Sequence, residues 1–192
     1  MFDQLRRALE FIEPVPPEDW EVVQGKFTPV SFKRKERILD IEEVSKKYIF
    51  ITQGLVRMYG YKEGEEKTIF FFRENMLVGS IRSYLHQTPS DVVLEALEDV
   101  EGLQANKDDL DEIIRKSPTV ARIIMTMTQV RLQGLLEFYI SFILDKPEER
   151  YEKLITNDPD LFNRVPQHII ASFLGITPVS LSRIRKRIAE KG

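Results

Sequence analysis

Apolar residues recur along this chain with changing rhythm, and each change marks a new kind of element. Phe2, Leu5, Leu9 and Ile12 fall at helical spacing until the prolines at 14, 16 and 17 interrupt them. Pro17 then opens a short second helix whose Trp20 and Val23 face inward and which Gly25 stops. From Phe27 to about Asn106 the period shortens to that of strands. Thr28–Phe32 alternates, Arg37–Asp40 follows a charged turn, and Tyr48–Thr52 and Leu55–Tyr61 flank Gln53-Gly54, which reads as a hairpin turn. A second turn at Lys62–Glu65 leads into Lys67–Phe72, and further short strands are predicted at Met76–Val78, Val92–Ala96 and Val100–Gln104, with a polar excursion between Gly79 and Val92. Many short strands at regular spacing predict a small antiparallel β-roll or jelly roll.

Helical spacing returns at Lys107–Arg115, with Asp108 and Asp109 near the positive end of the helix dipole. Pro118 opens the longest helix, to roughly Leu144. Its stripe of Val120, Ile123, Ile124, Met127, Val130 and Leu135, continuing through Phe138 and Phe142 or Ile143, is too apolar to be buried by one surface. The six residues from Val120 to Leu135 are the expected homodimer interface. Asp145-Lys146-Pro147 ends that helix, and Pro147–Ile155 forms the next. The fold class is therefore α+β: a β-roll with N-terminal helices over residues 1–116, a long dimerisation helix over 117–145, and a helical domain over 146–192.

That last domain contains the stretch with the clearest chemistry, Pro166–Ile188. Ile169, Ile170 and Leu174 recur at helical spacing, Gly175 supplies the positive φ of a sharp turn, and Leu181, Ile184 and Ile188 resume the pattern. Thr177-Pro178 is an N-cap residue followed by the proline favoured at a first helical position. Small Ala171 sits where two crossing helices approach, and Arg183, Arg185, Lys186 and Arg187 decorate the second helix. This is a helix-turn-helix pattern, which implies double-stranded DNA as the partner. With Leu181, Ile184 and Ile188 inward, Val179, Ser182, Arg183 and Lys186 point outward. Arg183 is the expected guanine reader. Pro178 and Val179 offer apolar contact, Gln167, Thr177 and Ser180 suit phosphates at helix starts, and Lys186 and Arg187 suit phosphates further along.

Charge agrees once it is divided. The chain carries 28 basic and 31 acidic residues, yet residues 161–192 hold six basic residues against Glu190 alone, net +5, and residues 1–160 hold 22 against 30, net −8. An acidic body with a basic end is the footprint of a nucleic-acid binder. The absence of cysteine excludes disulfides, thiolate metal sites and iron–sulfur ligation. With only His86 and His168 available, no metal site, cofactor or enzymatic activity is expected. No apolar run reaches membrane-spanning length and Met1-Phe2-Asp3 begins no signal peptide, so a cytoplasmic location is expected.

The order of parts, and above all Leu174–Ile184 with Lys107–Ile114 and Ser117-Pro118, resembles the Crp–Fnr family of bacterial transcription regulators. The resemblance implies a homodimer, with RNA polymerase and a small effector as candidate partners. It also places an effector pocket at Gly79, Ser80, Arg82, Ser90 and Asp91. Relatives that bind cyclic AMP carry a Gly-Glu pair and, about ten residues later, an Arg that pairs with the cyclic phosphate. This chain has Gly79-Ser80 and then Ser90, so regulation by cyclic AMP is not expected. The alternative reading is a dimeric protein-interaction module with a degenerate nucleotide-binding fold and no DNA readout.

Overall fold

The computed structural model describes residues 1–190. Its elements run α1 (Phe2–Glu10), α2 (Pro17–Gln24), β1 (Thr28–Phe32), β2 (Arg37–Leu39), β3 (Lys47–Gln53), β4 (Val56–Lys62), β5 (Glu65–Phe72), β6 (Leu77–Val78), α3 (Ile81–His86), β7 (Val93–Ala96), β8 (Val100–Asn106), α4 (Lys107–Lys116) and α5 (Pro118–Leu144). The C-terminal helices are α6 (Pro147–Asn157), α7 (Leu161–Arg164), α8 (Gln167–Phe173) and α9 (Pro178–Ala189). The polar excursion after Gly79 contains α3, which its short length hid from periodicity.

The strands form two four-stranded sheets, in the orders β1-β8-β3-β6 and β2-β7-β4-β5. Gln53-Gly54 is therefore not the turn of a hairpin. β3 pairs with β8 and β6 in the first sheet, β4 with β7 in the second, and the two residues carry the chain from one sheet to the other. Gly54 has φ +100°, and a Cβ there would lie 2.5 Å from the Asp99 carbonyl oxygen, so glycine is needed twice over. The turn between β4 and β5 is a true hairpin, with Glu63 and Gly64 both at positive φ.

Strand alternation gives the first sheet two buried faces. Ile49 and Ile51 of β3 join Leu39, Val56, Phe72 and Leu94 inside the roll. Phe50, with Leu103 and Ala105 of β8, points the other way into a second core built with Leu5, Leu9, Trp20, Val23, Leu110 and Ile113. The amphipathic N-terminal helices exist to cover that outer face. Lys116, one turn on in α4, and Lys26, just after α2, each lie 2.6 Å from a Glu112 oxygen and hold that carboxyl down to about 2.

Two compact units result: residues 1–60 with 70–130, and residues 61–69 with 131–192. Boundaries at 116/117 and 145/146 do not coincide with these units, because α5 runs unbroken from one into the other. Val120 and Ile123 are buried in the first unit's own core, with Ile124 and Met127 packed against it. None of these four forms a free face for a partner.

Ile123→Ala is accordingly expected to cost about 2–5 kcal/mol in urea unfolding; a loss below about 1 kcal/mol would put the residue outside the core. Because the Glu112 pKa is depressed in the folded chain, its contribution is present above the ordinary carboxylate range and is lost as pH falls toward 2. Glu112→Gln should flatten the acid-side fall in melting temperature, and an unchanged profile would show the cluster to be without effect.

Candidate nucleic-acid interface

The second unit builds a helix-turn-helix from α8 and α9. Helix α8 ends in a Schellman arrangement: the Gly175 N–H donates to the Ser172 carbonyl at 3.1 Å and the Ile176 N–H to the Ala171 carbonyl at 3.0 Å. Gly175 takes φ +70°, and a Cβ on it would lie 2.7 Å from the Phe142 ring. Two residues later Thr177 caps α9, its Oγ1 accepting from the Ser180 N–H at 3.1 Å, and Pro178 occupies the first turn. Ile169, Ile170, Ala171, Leu174, Leu181 and Ile184 fill the space between the helices. Ala171 is fully buried, as a close crossing requires.

This packing fixes what α9 presents outward. Pro178, Val179, Ser182, Arg183, Arg185, Lys186 and Arg187 are all exposed, Val179 to 61%. Arg183 and Arg185 form no ion pair among the described residues, and Lys186 stands 3.9 Å from Glu190. Arg187 is different. It pairs with Glu148 of α6 at 3.1 Å, so its charge is partly spent inside the protein. Gln167 and His168 are exposed at the start of α8, and Thr177 and Ser180 lie beside the α9 N-terminus.

Sequence reasoning missed what carries this pair of helices. The Arg150 guanidinium donates to the Asp145 carbonyl at 2.8 Å, to the Leu174 carbonyl at 3.0 Å and to the Phe142 carbonyl at 3.4 Å, and lies 4.8 Å from the Phe142 ring. One cation thus serves the carbonyl-rich ends of α5 and α8 together. Phe138 stacks on Phe173 at 4.6 Å. The aromatic part of the α5 stripe therefore packs on its own helix-turn-helix. Only proximity in the fold reveals Arg150, which in the sequence reads as one solvated charge among several. Ser172 was missed as well: its hydroxyl accepts from the Thr68 N–H at 2.9 Å and donates to the Glu66 carbonyl at 3.2 Å on the β4–β5 hairpin.

The expected effector positions lie in the first unit. Ser80 and Ser90 are both 3% exposed and their hydroxyls are 3.2 Å apart; Ser90 also bonds the Val92 carbonyl at 2.8 Å. Gly79 lies under the Tyr48 ring, 2.6 Å from where a Cβ would stand. Arg82 turns to the surface and pairs with exposed Asp91 at 2.8 Å. Among the described residues no group of three His, Cys, Asp or Glu side chains is placed to hold a metal, and no helix is long and apolar enough to cross a membrane.

Residues 29–117 match the cyclic nucleotide-binding domain family. The fold resembles the c-di-GMP responsive global regulator CLP of Xanthomonas campestris, with TM-score 0.74 and 13% identity over 92% of this chain and 93% of that one. FixK2 of Bradyrhizobium japonicum gives 0.71 and 18% over 86% of each chain, and a CooA variant from Carboxydothermus hydrogenoformans gives 0.71 and 16% over 88% and 79%. No curated protein matches the sequence. In its fold and its matched domain the chain fits the Crp–Fnr regulators.

Thr177→Ala removes the α9 cap and should cost about 0.5–2 kcal/mol in thermal or urea unfolding. No change in stability would mean that Pro178 and packing alone define the start of the helix.

Proposed function

We propose that this chain, built on the architecture of the Crp–Fnr regulators, is a sequence-specific DNA-binding transcription regulator that acts as a homodimer without responding to cyclic AMP. The observation that carries the reading is α9: a capped helix on a fixed turn, with Val179, Ser182, Arg183 and Lys186 on one exposed face. Arg183 is free to make a bidentate contact with guanine, Val179 to touch a thymine methyl, and Lys186 to neutralise a phosphate. Gln167, Thr177 and Ser180 hold helix starts where phosphates bind, and Pro178 adds apolar contact. Arg187 contributes less than the other cations because Glu148 already holds it.

The homodimer reading rests on a revised surface of α5. Met125, Gln129, Leu132, Leu136, Tyr139 and Ile143 are exposed and recur at alternating spacings of four and three. At 100° per residue they centre about 165° around the helix from the buried Val120–Ile123–Met127 face. Such a heptad seam is what two α-helices bury when they supercoil. Of the other expected interface residues, Leu135, at 36% exposure, lies to one side of this seam, and Val130, at 62%, lies on the far side of the helix with Ile123. Two copies joined this way would present two reading helices to a two-fold repeated site, the arrangement most helix-turn-helix proteins need.

Insensitivity to cyclic AMP follows from the Ser80–Ser90 pair. A cyclic phosphate brought there would meet two buried hydroxyls and no cation, at a cost of several kcal/mol.

Arg183→Ala should weaken binding to the preferred duplex by about 1–3 kcal/mol and relax one base position; unchanged affinity and preference in a gel-shift selection would remove α9 as the reader. Leu132→Glu with Leu136→Glu should give monomers in sedimentation and lose protection of half-sites spaced about 34 Å apart. Full two-site protection by that variant would overturn the seam. Cyclic AMP at millimolar concentration is expected to leave the melting temperature unchanged, and a saturable rise would contradict the pocket reading.

A further inference from the structure

The interior of the roll is not uniformly closed. The second core, under the N-terminal helices, holds a wholly apolar void of about 20 Å³, water-sized but without polar partners for a water. Between the two sheets, by contrast, a cleft of about 640 Å³ opens where the edge strands β1 and β2 meet the loop before β3. That volume lies within the range of ligand pockets, roughly 300–1,000 Å³. Gly79 borders it, while Ser80, Arg82, Ser90 and Asp91 do not, so it adjoins the serine pair without including it.

Its walls change character with depth. The floor is apolar, made by Leu39, Ile49, Val78 and Leu94 of the roll core, and half-buried Val30, Phe32 and Ile38 continue it upward. Along β3 the inward positions run Ile51, Ile49, Lys47, from apolar to cationic toward the mouth. Gln104 stands opposite Ile49 in the β3–β8 register, and its Oε1 accepts from Lys47 Nζ at 3.3 Å. Its amide N–H groups have no partner among the described residues, and neither does the ammonium of Lys46, which also lines the cleft. The acid at the rim, Glu43, accepts the Asp40 N–H at 2.9 Å and so is engaged in its own turn. Apolar floor, unspent donors and a cationic mouth are complementary to one chemistry.

We propose that this cleft is a ligand site for a compact apolar carboxylate, its hydrocarbon body against Ile38, Ile49 and Leu94 and its carboxylate held by Lys46 and the Gln104 amide. The head group then makes charge-assisted hydrogen bonds at the mouth while the half-exposed apolar side chains leave water. A ligand so placed touches strands of both sheets, which gives the roll an occupant that does not need the Ser80–Ser90 pair.

The test uses the full-length protein without DNA and octanoate as the probe, with binding read by calorimetry and by melting temperature. Octan-1-ol and octylamine serve as chain-matched neutral and cationic probes. Octanoate is expected to bind saturably, and about ten- to a hundredfold more tightly than octylamine. Lys46→Glu, an exposed position that leaves the core untouched, should weaken octanoate by a similar factor while its melting temperature without ligand stays that of the wild type. Gln104→Leu should weaken octanoate but not octan-1-ol. Equal binding of the three probes, or wild-type octanoate affinity in both variants, would overturn the proposal. DNA binding is scored separately, so a failed octanoate titration leaves the reading of α9 standing, and a failed gel shift leaves the cleft standing.

Discussion

The helix-turn-helix of this molecule depends on how the C-terminus of α5 is joined to one glycine turn. A helix end leaves carbonyl groups without intrahelical partners, and two such ends, those of α5 and α8, are brought together here. Arg150 answers both, with bonds to Phe142, Asp145 and Leu174 carbonyls, while the Phe142 ring occupies the space that a side chain at position 175 would need. A cation between helix C-termini is favoured by both dipoles, and the ring beside it excludes water that would compete for the same carbonyls. The orientation of α9, and so of Arg183, follows from α8, and α8 is held by this junction.

Much of this fold was legible before any coordinates, and the failures have physical causes. The turn at Gly175 could be read because each of its requirements has its own residue type: positive φ, a capping hydroxyl, a first-turn proline and a small crossing residue. Strands in the roll could be read from their period. What could not be read was which side of α5 faces what. A helix that is apolar all round has no preferred face in sequence, so Val120 and Ile123 were assigned to a partner although they complete the chain's own core. Gln53-Gly54 misled for a related reason: a glycine with positive φ marks a reversal, yet nothing local states whether the strands beside it pair with each other or cross to a second sheet. Arg150 and Ser172 act across distances in sequence that no motif spans.

The roll is closed at one place in its interior and open at another. At Ser80 and Ser90 no buried charge needs a ligand to satisfy it, because the two hydroxyls bond each other. Tyr48, packed on Tyr84 at 4.4 Å, covers Gly79 from above. Next to it, bordered by Gly79, the same sheet pair keeps an open cleft with donors at its rim.

The bond between Ser172 and the β4–β5 hairpin has a consequence for the solution behaviour of the protein. β5 is the outer strand of its sheet, and an outer strand offers a row of amide and carbonyl groups on which a foreign chain can build. The Ser172 hydroxyl occupies two of these groups at once, the Thr68 N–H and the Glu66 carbonyl, in the half of the strand nearest the hairpin. A single side chain from the helix-turn-helix thus takes two of the edge's pairing groups away from any strand that would build on this end of β5.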